Sequence, residues 1–225
     1  MNNRWNIKSF WGRKKAWLFA MFIEDHNFTN VVRLNFHEIA KNVFRSSQPT
    51  MWQLKRLKKK YNLVEIVNLK DENRNCAYFH FEEEKCQELG LKLVNVQIGS
   101  REFPTYEDLL SYKKVIEEMQ EPVLIHCKAG ADRTGIFCTL YQYFKENRDI
   151  RDTDQLKLFP YGHVKYSNAG KVDYYFEQFA KYQETHPKID LLTWARDIAD
   201  LEQFKKDFQP NPIAAFINDK ILKRE

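Results

Sequence analysis

The 225 residues are 43% hydrophobic, 15% aromatic and 30% charged, the proportions of a folded chain with apolar mass for one sizeable core. Seven Gly and seven Pro exclude a collagen, a low-complexity tether and a loop-rich disulfide scaffold. The formal charge of +5 is uneven: residues 1–60 hold 13 Lys and Arg against Glu24, Asp25 and Glu38, a net +10, and the remainder holds 23 against 28, a net −5. Basic charge gathered at one end is not the recognition face of a nucleic-acid binder, so no nucleic-acid partner is expected and a membrane-facing or partner-facing end is.

That end is residues 1–35. Arg4, Lys8, Arg13, Lys14 and Lys15 precede the longest strongly apolar run, residues 16–23, which Glu24, Asp25 and His26 close. Eight residues fall far short of the roughly 20 that cross a bilayer. A charged cluster also stands where small residues would mark a signal-peptide cleavage site. The expectation is therefore a cytoplasmic protein without a transmembrane span. A helix carrying Trp5, Phe10, Trp11, Trp17, Phe19 and Phe22 has two uses: packing its aromatics on the domain, or lying peripherally on an anionic membrane.

Residues 36–185 alternate short apolar runs with amphipathic stretches. Residues 43–46 read as extended and lead through Ser47-Gln48-Pro49 to Thr50. There a helix opens with a capping-box pattern (Thr50, Gln53) and a Trp52, Leu54, Leu57, Tyr61 stripe, and Lys58-Lys59-Lys60 suits the dipole at its end. Residues 63–69 form a short apolar strand, 78–89 a helix closed by Gly90, and 91–98 an alternating strand. After Pro104, Thr105 caps a helix to about Met119, in whose first turn Glu107 and Asp108 favour the dipole. Residues 122–126 are a compact apolar strand leading into Cys127, and a helix runs from Arg133 to about Lys145. Further helices are clearest over 171–182 and 190–208. In the C-terminal extension, 186–225, a stripe of Trp194, Ile198, Leu201, Phe204 and Phe208 is expected to pack on the core rather than form a dimer seam. The alternation predicts an α/β fold: a mostly parallel central sheet flanked by helices on both faces, with helical extensions at both ends.

Four cysteines, at 76, 86, 127 and 138, show neither a C-x-x-C pair nor metal-ligand spacing, so neither a metal site nor a disulfide framework is expected. The stretch that carries chemistry is His126-Cys127-Lys128-Ala129-Gly130-Ala131-Asp132-Arg133-Thr134-Gly135. It lies where a buried strand ends and a helix begins, an anion site in α/β folds because first-turn N–H groups lack partners and the dipole favours negative charge. The arc Lys128, Ala129, Gly130, Ala131, Asp132 can curl its N–H groups around one tetrahedral anion, with Gly130 free to take a positive φ. Cys127 is the candidate nucleophile, its thiolate favoured by the helix end and by Arg133. Arg133 is a planar fork for two phosphate oxygens, in the substrate and in the transition state. Thr134 can donate its hydroxyl to the departing sulfur, His126 orients the turn by hydrogen bonding, and Gly135 lets the helix approach the strand closely.

The pattern His-Cys-x5-Arg-Thr-Gly resembles the signature of the cysteine-dependent protein tyrosine phosphatase superfamily, and the short chain looks like its bacterial dual-specificity-like branch. The resemblance spans roughly residues 43–182. Phe44-Arg45-Ser46-Ser47-Gln48-Pro49 looks like the opening strand of that branch, residues 66–69 with Lys70 and Arg74 like its next strand and loop, and Gln155-Leu156 to Tyr161-Gly162-His163 like a segment of bacterial members. His163 then either borders the site or is structural.

The resemblance implies a two-step reaction without metal or organic cofactor: Cys127 attacks phosphorus, and water hydrolyses the phosphocysteine. Members usually supply an acidic Asp from a loop some thirty residues before the cysteine, yet Ile98-Gly99-Ser100-Arg101-Glu102-Phe103-Pro104 contains none. Asp132 is ranked first as the general acid, with a loop-ordering role as its alternative, and Glu102 second. Lys128 resembles the 3-phosphoinositide phosphatases, but a second gripping lysine would fall at Ala131, and Asp132 repels polyanions. Phosphotyrosine and phosphoserine/threonine proteins are thus the first substrate class, phosphoinositides or inositol phosphates the next, and a catalytically silent phosphate-binding module the rival. Cys138 is read as core; Cys76 and Cys86 are candidates to resolve an oxidised Cys127, or idle thiols.

Overall fold

The computed structural model describes residues 7, 9–21, 28–70 and 76–212. Its elements run α1 (Phe10–Phe19), α2 (Phe28–Val32), β1 (His37–Ala40), β2 (Val43–Ser47), α3 (Met51–Tyr61), β3 (Glu65–Asn68), α4 (Ala77–Leu89), β4 (Lys92–Asn95), α5 (Tyr106–Glu118), β5 (Val123–Cys127), α6 (Asp132–Phe144), α7 (Lys171–Thr185), α8 (Leu191–Asp197) and α9 (Leu201–Asp207). The α/β expectation holds: the sheet is mostly parallel and helices flank it. The chain forms two compact units, Met1–Gln97 with Gln120–Gly130, and Ile98–Met119 with Ala131–Glu225.

The first unit holds the five-stranded sheet, in the order β1-β2-β5-β3-β4, parallel except for the β1–β2 pair. Strands β3 and β5 are buried at every position, which is why they read as short apolar runs rather than alternations. Ser47 lies opposite Cys127 and Asn68 opposite His126, so three parallel strands end together where the signature begins. The sequence does not announce β1. It is a short, half-buried edge strand that turns into β2 at Asn42, whose φ of 64° is the left-handed region that Asn tolerates. Strand β4 stops at Asn95, short of the expected 98, because β3 ends at Asn68 and only an isolated Lys70–Gln97 bridge continues the pairing.

On α3 the capping box forms as read: the Thr50 hydroxyl accepts from the Gln53 N–H and Gln53 Oε1 accepts from the Thr50 N–H. Leu54 and Leu57 join Phe44, Ile66 and Leu124 in the core. Trp52 leaves the predicted stripe: it is 62% exposed, with the Arg56 guanidinium over its ring at 4.6 Å. Two positions before Leu54 turns a side chain about 200° around the helix, away from the buried face.

Helix α1 packs on α4 through small residues, Ala16 and Ala20, not through its aromatics. Phe10 and Trp11 are each 74% exposed and Trp17 is 47% exposed, while among the described residues Phe19 is the one predicted aromatic that packs against the cluster. Trp5, Phe22 and Arg74 lie outside the described residues.

In the second unit, Thr105 caps α5 and its N–H donates to Asp108 Oδ2, so Asp108 completes a capping box besides carrying the first-turn charge expected of it. The predicted helix over 190–208 is two helices, because Asp200 adopts an extended conformation and accepts from the Gln203 N–H, capping α9 afresh. Trp194 is buried with its ring centroid 5.0 Å from Tyr175, and Phe204 stacks on Trp194 at 6.0 Å, so these members of the stripe pack within the unit, while Ile198 is 44% exposed. Among the described residues, no helix is long and apolar enough to cross a membrane.

Candidate active site

Cys127 closes β5 and is buried, and the Gly130 N–H donates to its Sγ at 3.3 Å. The arc therefore curls back on the sulfur. Gly130 has φ 68°, and a Cβ there would stand 2.4 Å from the Ser47 nitrogen and 2.5 Å from the Ser46 carbonyl carbon. Both its conformation and the backbone pressed against it require glycine.

The arc's carbonyls are held from outside. Asn30 Nδ2 donates to the Lys128 carbonyl at 3.1 Å, and the Gln48 N–H donates to it at 3.2 Å. Asn35 Nδ2 donates to the carbonyls of Ala129 and Gly130 at 3.1 and 3.0 Å, and Arg45 Nη2 to that of Gly130 at 2.9 Å. Because N–H and C=O point oppositely across a planar peptide, carbonyls tied on one side turn their N–H groups to the other. The sequence reading gave none of these three side chains a role. Arg45 had a signal, since a charge inside a strand is seldom fully buried unless it is paired. Asn30 and Asn35 had none, lying 98 and 94 positions from the carbonyls they hold.

His126 shares the face of Leu124, toward α4, as strand periodicity requires. Its Nδ1 lies 3.4 Å from the Cys127 carbonyl, and its Nε2 lies 2.9 Å from Glu82 Oε1, with both of these side chains fully buried. Glu82 was invisible to periodicity, because its neighbours Glu83 and Glu84 make it look like part of a solvated run. All four cysteines are buried and unbridged. Burial, helped by the Glu82 charge, pushes the Cys86 thiol far above its ordinary range, so a ready thiolate there is disfavoured.

The chain passes into the second unit at the Gly130–Ala131 bond, so Asp132, Arg133 and Thr134 form the first turn of α6. Arg133 is half-buried there. The Thr134 hydroxyl is buried with no hydrogen-bond partner among the described residues. Gly135 does allow a close approach, but the partner is the 155–156 segment rather than a strand: a Cβ would meet Leu156 Cδ2 at 2.7 Å and the Gln155 carbonyl at 2.9 Å. Asp132 Oδ1 lies 2.7 Å from His163 Nδ1, and Asp173 Oδ2 lies 2.6 Å from His163 Nε2. Burial pushes the imidazole pKa down, but hydrogen bonds and charge from Asp132 and Asp173 outweigh it and hold it raised, at about 9. Glu102 is exposed, beside a Phe103 that packs among Tyr174, Tyr175, Phe204 and Phe208.

A cysteine ending a central parallel strand, an arc of turned amides and an Arg-Thr-Gly helix start define the cysteine-dependent protein tyrosine and dual-specificity phosphatase class. The chain belongs to the family described as DSP-PTPase phosphatase fused to NAD+ kinase, which matches residues 18–173. No curated relative matches it. Among solved structures, Tk-PTP in its active form is 20% identical, with a TM-score of 0.50, over 69% of this chain and 98% of that one. The core catalytic domain of the PP-IP phosphatase SIW14 from S. cerevisiae is 20% identical with a TM-score of 0.42, over 84% of this chain and 89% of its own. TpbA from P. aeruginosa is 15% identical with a TM-score of 0.41, over 78% and 91%. At 20% identity the likeness to Tk-PTP is one of fold alone.

Proposed function

We propose that the chain hydrolyses phosphate monoesters through a phosphocysteine on Cys127. The observation that carries this reading is the arc: its carbonyls are tied back by Asn30, Asn35 and Arg45, and the Gly130 amide is turned onto the sulfur. In the first step the Cys127 thiolate attacks phosphorus, the S–P bond forms and the ester P–O bond breaks. Arc amides and the Arg133 guanidinium take the charge on the non-bridging oxygens. The leaving oxygen takes a proton from Asp132, with Glu102 as the alternative donor. Water then attacks phosphorus, the carboxylate accepts its proton, the S–P bond breaks and the thiolate returns, with the buried Thr134 hydroxyl available as a donor to it.

Phosphotyrosine and phosphoserine/threonine proteins are the substrate class favoured by charge. Lys128 is the arc's one lysine, Ala131 stands where a second would reach further phosphates, and Asp132 adds a negative charge. Such a cradle suits a single phosphate better than a polyanionic headgroup. A phosphoinositide or inositol phosphate reading draws on a different observation, the exposed Phe10, Trp11 and Trp17 of α1 beside exposed Lys14 and Lys15, which suit an anionic membrane surface.

The test is hydrolysis of p-nitrophenyl phosphate in EDTA by the wild type and by Cys127→Ser. The expected result is turnover that the substitution abolishes. A folded wild type without turnover would instead make the chain a phosphate-binding module, to be probed with phosphopeptides.

A further inference from the structure

His163 faces a carboxylate at each ring nitrogen: Oδ1 of Asp132 on α6 at 2.7 Å and Oδ2 of Asp173 on α7 at 2.6 Å. The imidazole side chain is fully buried, and the two carboxylate side chains are 8% and 10% exposed. A neutral imidazole donates from only one nitrogen, so with both Oδ atoms acting as acceptors the two bonds form together only when the ring carries two protons. The segment that delivers it is fixed by its backbone: the Gly162 N–H donates to the Leu158 carbonyl at 2.7 Å and the His163 N–H to that of Lys157 at 3.0 Å. The ring is thus a rigid cation held by α7 against the first residue of α6, inside the signature. Asp132 and Asp173 are the charged groups facing it, and Lys165 on its own segment is engaged by Glu177.

We propose that His163 is a positioning residue for the signature carboxylate: anchored by Asp173, it fixes Oδ1 of Asp132 and leaves Oδ2 as the oxygen that exchanges protons with the leaving group and with water. The inference rests on the reading of Asp132 as the acid–base group. With Oδ1 accepting from the ring, the proton that Asp132 gives to the leaving oxygen departs from Oδ2, and the proton taken from water returns there. An imidazolium beside Oδ1 stabilises negative charge on Asp132, the form that exists after the leaving oxygen is protonated and until water supplies a proton. Hydrolysis of the phosphocysteine requires that form. Loss of the ring therefore slows breakdown of the intermediate more than its formation.

Stopped-flow turnover of p-nitrophenyl phosphate near neutral pH tests this, using wild type, Asp132→Asn, His163→Ala, His163→Gln and the Asp132→Asn/His163→Ala double variant, with thermal melts to confirm folding. His163→Ala should release a burst of nitrophenolate close to one per enzyme, followed by a steady rate lowered by roughly 10²-fold. His163→Gln, which keeps an amide donor, should recover part of that rate. The double variant should be no slower than Asp132→Asn alone, because two members of one unit do not add. A folded His163→Ala with the wild-type rate and no burst, beside a slowed Asp132→Asn, overturns the inference alone. Additive losses in the double variant also overturn it, since they make the ring a separate structural element. A silent Asp132→Asn, with Cys127→Ser inactive, removes the acid–base reading and this inference with it. Should both His163 variants fail to fold, Asp173→Asn carries the test: a burst supports the anchor, and wild-type kinetics overturn it.

Discussion

Glu82 Oε1 lies 2.9 Å from His126 Nε2, and neither side chain reaches solvent. Neither carboxyl oxygen of Glu82 has a hydrogen bond among the described residues, and the imidazole is the polar group that faces it. The two partners should therefore respond unequally to deletion. His126→Ala removes the polar group facing Glu82 and opens a cavity in the core, and is expected to cost about 3–5 kcal/mol. Glu82→Gln keeps the volume and a polar group opposite the imidazole and is expected to cost about 1–2 kcal/mol. Urea denaturation of both variants checks the order, and a larger loss for Glu82→Gln would reverse the assignment.

Gly130→Ala places a methyl against the backbone of Ser46 and Ser47 at a positive φ, where neither side can yield. The strain is on the order of 1–3 kcal/mol. Since the Gly130 amide also addresses Cys127, turnover of p-nitrophenyl phosphate should fall below detection while the chain stays folded. A near-normal rate would mean that the arc does not cradle phosphate.

Asn35→Ala removes one hydrogen bond from each of two carbonyls, those of Ala129 and Gly130, the second of which keeps its bond from Arg45. The expected effect is a loss of about 1–2 kcal/mol in stability and a fall of roughly tenfold in kcat/KM. Steady-state kinetics and a melt on one preparation separate the two, and a stability loss without a kinetic one would confine Asn35 to folding.

The pKa of His163, raised to about 9, carries a pH dependence with a definite sign. Its contribution to stability is complete below the ordinary histidine value, about 6.5, and is lost as pH rises through about 9. The magnitude is on the order of 3 kcal/mol. Denaturation midpoints should fall between these limits in the wild type and stay nearly level in a folded His163→Gln, and a parallel fall in both would assign the dependence elsewhere.

The face of α1 gives a membrane prediction. Vesicles containing phosphatidylserine should sediment the chain at low salt, and phosphatidylcholine vesicles should not. Trp11→Ser combined with Lys14→Glu should keep it in the supernatant, because those side chains are exposed and not part of the Ala16–Ala20 contact. Equal sedimentation of variant and wild type would remove α1 from membrane binding.

What the sequence determined by itself is what short-range physics encodes. Strands β3 and β5 were legible as apolar runs, the cap of α3 as Thr followed by Gln at the third position, that of α5 as the Thr after Pro104, and the end of α4 as a Gly that takes φ 63°. Cys127, Gly130 and Arg133 were legible because the arc that joins them is continuous chain. Tertiary structure alone decided what meets that arc. Periodicity assigns a side chain to a face but not to a partner, so the hold of Asn30, Asn35 and Arg45 on the arc and the Glu82–His126 pair could not be read from spacing. The same limit hid the exposed aromatics of α1, because an aromatic and an alanine can each face a neighbouring helix, and only the close approach of α4 selected Ala16 and Ala20. His163 shows it most plainly. The resemblance marked its segment, but 31 positions of spacing from Asp132 could not pair the two, and only the fold brings two carboxylates to one ring where water does not reach.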